Sequence, residues 1–240
     1  MVSDLSLQDR RVDWRDRLAS PNVTIVLNGI GVVVGLWAII FPWPYDAAVL
    51  SAMMAVAIAL ALKIVAPSLS QPLVYTKRDR RSIAGSLFMV PALAVALRAN
   101  SDLNLFSWPV EMEWSACLAA LLAIPLLTGD PGFRSRPFFA LLLLVLAFGY
   151  AAGSLAELNS IFDGSQPVVY RTTVWAKHVY SGKAQVYELI LTGWGDQQIG
   201  SGVKVPYSFF AERRVGEQVC IYLRRGWLGF PHYSADSCVS

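Results

Sequence analysis

The stretch that most constrains this chain is its last long apolar run, Phe138 to Leu158, with the sequence FFALLLLVLAFGYAAGSLAEL. Twenty or so apolar residues at 1.5 Å per residue match a hydrocarbon core about 30 Å thick, so the run reads as a membrane span. The residues before it are similarly apolar, whereas those after it change period. The chain carries 55% apolar and aromatic residues and only 15% charged ones. Soluble domains carry about 25% charged residues, so the balance points to a membrane protein.

Five spans are expected, at about 22–41, 47–65, 82–97, 114–128 and 138–158, after a polar N-terminal segment, 1–21. That segment mixes Asp9, Asp13 and Asp16 with Arg10, Arg11, Arg15 and Arg17. It reads either as a short helix on the membrane surface or as a solvated lead-in, and it is neither a secretory signal nor a transit peptide. In the first span Gly31 and Gly35 stand four apart, as do Gly149 and Gly153 in the fifth, and such pairs let another helix approach closely. Asn28 is placed to hydrogen-bond across the first of these contacts. Ala55, Ala57, Ala59 and Ala61 give the second span small residues for packing, and Cys117 reads as a small core residue of the fourth. Phe41-Pro-Trp-Pro-Tyr45 and the tryptophans Trp108 and Trp114 look like interface residues. Lys63, Arg98 and Glu157 fall near span ends, from which they are expected to reach the interface.

Basic residues set the orientation. The N-terminal segment, the second-to-third loop (Lys77, Arg78, Arg80, Arg81) and the fourth-to-fifth loop (Arg134, Arg136) are basic, while the intervening loops hold only the bordering Arg98. The positive-inside rule places the N-terminus and the basic loops in the cytoplasm. After five spans, residues 159–240 lie outside. The segment 99–113 between the third and fourth spans is a loop that holds Asp102, Glu111 and Glu113 and no Lys or Arg.

From Gln166 the pattern becomes that of short strands. Pro167–Tyr180 is rich in β-branched and aromatic residues, Ala184–Thr192 alternates, and Val203–Val205 and Val219–Leu223 are further strands. Tyr207–Arg214 reads as a helical turn or a bent connection. The fold class is thus a bundle of about five transmembrane helices followed by a small, mainly antiparallel β domain, a twisted sheet or partly open barrel. So small a domain has a thin core, and an oxidising space favours a Cys220–Cys238 disulfide over two free thiols.

Catalytic signatures are missing from the sequence. The glycine-rich loop 193–202 lacks the Lys-Ser/Thr pair of a phosphate loop, and Gly200-Ser201-Gly202 is not a nucleophile elbow. His232, Asp236 and Cys238 match no zinc spacing, so neither a metal nor a cofactor is expected. The basic surplus of the tail is too small for nucleic acid. Arg213, Arg214, Arg224, Arg225, Trp227, Phe230 and Tyr233 are the candidates for contact with a partner or with lipid headgroups.

The segments Lys177-His-Val-Tyr-Ser-Gly-Lys183, Tyr187-Glu-Leu-Ile-Leu191 with Trp194-Gly195, Gly216-Glu-Gln-Val-Cys220 and Gly226-Trp-Leu-Gly-Phe-Pro-His-Tyr233 cover about a third of the chain. In them it resembles uncharacterised inner-membrane proteins of Gram-negative bacteria. The resemblance implies a membrane-anchored extracytoplasmic β domain with a terminal cysteine pair, and it brings no catalytic residues. The expected function is non-enzymatic: an inner-membrane protein whose β domain binds an envelope protein, a peptide, the bilayer surface or a second copy of the chain. The alternative is a transport or channel component with the tail as cap or assembly element.

Overall fold

A computed structural model of the chain describes residues 21–65, 85–105, 108–127, 137–180, 185–197 and 200–238. The N-terminal arginines, the two basic loops and the Ser181-Gly182-Lys183 turn lie outside these residues. Six helices and six strands are described: α1 (Pro21–Ile40), α2 (Tyr45–Val65), α3 (Gly85–Asp102), β1 (Asn104–Leu105), α4 (Trp108–Leu127), α5 (Pro137–Ile161), β2 (Val168–Tyr180), β3 (Val186–Leu191), β4 (Ser201–Val205), α6 (Tyr207–Glu212), β5 (Gln218–Arg224) and β6 (His232–Asp236). They form two compact units, a helical one (Met1–Leu97 with Ser115–Ala151) and one built around the sheet (Arg98–Trp114 with Ala152–Ser240).

In the helical unit, α2 and α5 are long and apolar enough to cross a membrane by length and composition. The other long helices fall outside that measure: the apolar part of α1 is the shorter Ile25–Ile40, and α3 ends in the polar run Arg98–Asp102. Gly31 and Gly35 lie against α3, where a Cβ would overlap the backbone of Ser86–Leu87 and of Val90. The Asn28 carboxamide accepts a hydrogen bond from the Ser86 N–H (3.1 Å). It thereby satisfies one of the orphan donors at the start of α3. Tyr150 donates to the Met53 carbonyl (3.3 Å).

Three expectations for the helices need correction. Ala55 and Ala59 are buried with Ala48 and Ala52, whereas Ala57 and Ala61 are exposed. Residues two apart point to opposite sides of a helix, so the packed stripe follows the three- and four-residue spacing of one helix face. Cys117 is exposed rather than in the core. Lys63 and Glu157 are buried rather than reaching outward, because each faces packed protein; Arg98 pairs with Asp102 one turn on (3.2 Å).

The sheet unit takes in the segment expected to be a loop. β1 pairs antiparallel with β6, Asn104 opposite Tyr233 and Leu105 opposite His232. The strand order is β1-β6-β5-β2-β3-β4, every pairing antiparallel. β2 serves both halves: Val168–Thr173 pairs with β5 and Val174–Tyr180 with β3, with a register shift between Val174 and Ala176. A bulge of this kind bends a strand and lets a sheet curl. The edges then meet through one side chain: Asn104 donates to the Lys204 carbonyl (3.1 Å) and accepts from the Lys204 N–H (2.9 Å). The amide of Asn104 thus stands in for a ladder pair between β1 and β4, and the sheet becomes a nearly closed barrel. Its core holds Val174, Leu189, Leu191, Trp194, Val203, Val205, Phe210, Val219 and Ile221. Phe210 comes from α6, which packs against β3.

Candidate interaction surfaces

The two Arg-Arg pairs bracket β5. Its seven residues at about 3.3 Å each separate them by about 20 Å, so they belong to two different surfaces.

The first surface is the turn 213–217. Glu217 organises it, accepting from the Arg213 guanidinium and from the Arg214 N–H (2.9 Å). These hydrogen bonds, the one from the Arg214 N–H foremost, hold the Glu217 carboxyl below its ordinary value against desolvation, with a lesser contribution from the two arginine charges. Arg213 also donates to Ser237 Oγ (2.7 Å) and lies over the Phe209 ring at 4.6 Å. Lys177 donates to the carbonyls of Phe210 and Arg213, closing the C-terminal end of α6. The turn is joined to β2 by backbone bonds, Gly216 N–H to the Val174 carbonyl (2.8 Å) and Val174 N–H to the Glu217 carbonyl (2.9 Å). Those bonds set the bulge residue Trp175 beside the turn. Trp175 is 60% exposed and Val215 63%.

The second surface is the turn 224–230, organised from outside itself. Buried Asn159, near the end of α5, accepts from the N–H groups of Leu228 (2.9 Å) and Phe230 (3.3 Å) and donates to the Phe230 carbonyl (2.7 Å). The Asn159 carbonyl accepts from the Trp227 N–H (3.0 Å). Asp163 accepts from Gly226 N–H (3.1 Å), while Ser165 accepts from Arg225 N–H (3.2 Å) and, through its carbonyl, from Arg224 (3.3 Å). Gly226 is required here: its φ is +78°, and a Cβ would overlap the Asn159 amide and the Phe230 carbonyl. Trp227 is exposed and packs at a tilt against Phe162 (centroids 5.6 Å). Phe230, by contrast, is buried, and Tyr233 turns onto Trp194 (centroids 4.9 Å). Neither is presented as Trp227 is.

His232 lies beneath this turn, its Nε2 3.8 Å from Asp163 Oδ2. Burial lowers the imidazole's affinity for a proton; the Asp163 charge opposes this and Arg224 reinforces it. For Asp163 burial pulls upward, but the hydrogen bonds from Ser165 and Gly226, with His232 nearby, outweigh it and lower the carboxyl. Ser165 is bonded to Asp163 and to Arg225, so the group serves as a brace for the turn. Cys220 and Cys238 are joined, with Cα atoms 5.0 Å apart. Among the described residues no three His, Cys, Asp or Glu side chains gather as a metal ligand set.

No protein-family model, curated protein or solved structure matches the chain. Trp175, Val215 and the Asn159–Asp163–Ser165 brace were not singled out by sequence reasoning. Trp175 sits in a run that reads as an ordinary strand, and alternation with the buried Thr172 and Val174 puts it on the outer face.

Proposed function

We propose that the chain is a multi-pass inner-membrane protein, its N-terminus cytoplasmic, whose extracytoplasmic barrel binds a protein or peptide and performs no catalysis. Two helices fit for a bilayer and an oxidised cysteine pair support the compartment. The observation that carries the binding role is the exposure of Trp175 and Val215 beside a braced turn, with Arg214 exposed next to them. Tryptophan and arginine on a rigid, pre-organised surface are the residue types that dominate binding energy. The partner expected is an extended segment with an apolar side chain for Trp175 and a carboxylate for Arg214.

A photo-activatable residue at Val215 tests this in intact cells. The expected result is a discrete adduct that Trp175→Ala abolishes. Adducts insensitive to Trp175→Ala would reject the site.

Burial of Lys63 in α2 and Glu157 in α5 favours a second reading, a transport or channel component, because ionisable residues inside apolar helices are often part of conduction paths. Deleting the barrel separates the two: a binding protein loses its partner, and a transporter keeps some flux.

A further inference from the structure

We infer that the turn Arg225–Gly229, together with Phe162, is a lipid anchor: it sits in the headgroup layer beside the point where α5 leaves the bilayer. The inference rests on α5 being a span. α5 has 25 residues, and about 20 suffice to cross a hydrocarbon core of about 30 Å. Counted from Phe138, the apolar stretch is used up near Glu157 and Leu158, so Asn159 to Asp163 fall in the headgroup layer. The turn is bonded to those residues and, through the Arg225 N–H, to Ser165 two residues further on. Asn159 takes the N–H groups of Trp227, Leu228 and Phe230, and Asp163 takes that of Gly226. Its depth is therefore fixed by the exit of the helix.

The side chains displayed at that depth suit lipid. Trp227 is 60%, Phe162 52% and Leu228 39% exposed, the two rings are in tilted contact, and Arg225 is exposed on the same turn. Tryptophan rings partition to the headgroup level, and arginine reaches lipid phosphates. A stable protein–protein contact needs about 800 Å² on each partner, more than these three apolar side chains provide. A bilayer sets no such minimum.

The test uses the full chain in phosphatidylcholine–phosphatidylglycerol liposomes, with Cys117→Ser removing the free thiol. An environment-sensitive fluorophore is placed on Leu228→Cys, with Val215→Cys and Leu144→Cys as references. Lipids carrying a nitroxide near the headgroup are expected to quench position 228, and aqueous iodide to reach it several-fold less well than position 215. Equal iodide access at 228 and 215, with 144 shielded, would overturn the anchor and leave the span standing. Iodide access at 144 would overturn the span and the anchor together. Protection of 228 from both quenchers, lost on dilution into excess lipid, would mean contact with a second copy and would also overturn it.

Discussion

The turns that bracket β5 carry similar signatures, an Arg-Arg pair with a positive-φ glycine and an apolar residue after it (Val215-Gly216 in one, Gly226-Trp227 in the other), yet they are built in opposite ways. The turn 213–217 is held by its own partly exposed Glu217 and by backbone bonds to Val174 of the neighbouring strand. The turn 224–230 is held by a buried asparagine of α5 and by an aspartate just past its end, both more than sixty residues earlier. A local surface brace can be lost with little consequence, because water replaces it. A buried carboxamide that serves three backbone groups has no substitute. The first turn is accordingly a displayed surface, and the second is the joint that fixes the barrel to the end of α5.

The sharpest way to break this contrast is Asn159→Leu. It strands the Phe230 carbonyl and two N–H groups, at a cost of about 4 kcal/mol. A large drop in Tm is expected, with hydrogen exchange accelerated at residues 226–230; Glu217→Gln should have a far smaller effect. The paired glycines come next. Gly226→Ala combines left-handed strain with overlap on Asn159 and should cost about 3 kcal/mol. Gly216→Ala has open space around its Cβ and keeps only the strain, about 1–2 kcal/mol. Equal losses in denaturant melts would show that the second turn is not tightly enclosed.

Removing the disulfide by Cys220→Ser with Cys238→Ser releases a loop of sequence separation 18 and should cost about 3 kcal/mol. The comparison sharpens in where the loss appears. Exchange is expected to rise at Ala235 and Asp236, next to the lost bond, and to stay slow at 226–230, where the brace persists.

The smallest expected effect is on pH. His232 binds its proton less readily when folded than when unfolded, so its contribution is fully present above the unfolded value near 6.5 and is lost as pH falls through the lower folded value. Asp163 acts in the same direction at lower pH, since its folded carboxyl is also depressed. Urea midpoints should therefore fall on acidification below about pH 6.5, and His232→Gln should flatten the first part of that decline.

Much of the barrel was legible because strands announce themselves locally. The change to two-residue alternation after Gln166, the β-branched run of β2 and the cysteine spacing need no knowledge of the rest of the chain. Gly31 and Gly35 were visible for the same reason. β1 was not, because two residues carry no period and Asn104–Leu105 is a strand only by virtue of His232 and Tyr233. Asn159 and Asp163 likewise read as ordinary polar residues closing an apolar helix. Their role appears only once the chain has folded back. The two arginine pairs looked alike for that reason, and what separates them is the company that each keeps.

The central claim is that the barrel stands outside the cytoplasm at the exit of α5. The most direct measurement is the side of the C-terminus, read with a periplasm-active and a cytoplasm-active reporter, each fused after Ser240. An active periplasmic reporter is expected, with a silent cytoplasmic one and a gel mobility that shifts on reduction of Cys220–Cys238. An active cytoplasmic reporter with no reduction shift would contradict that placement.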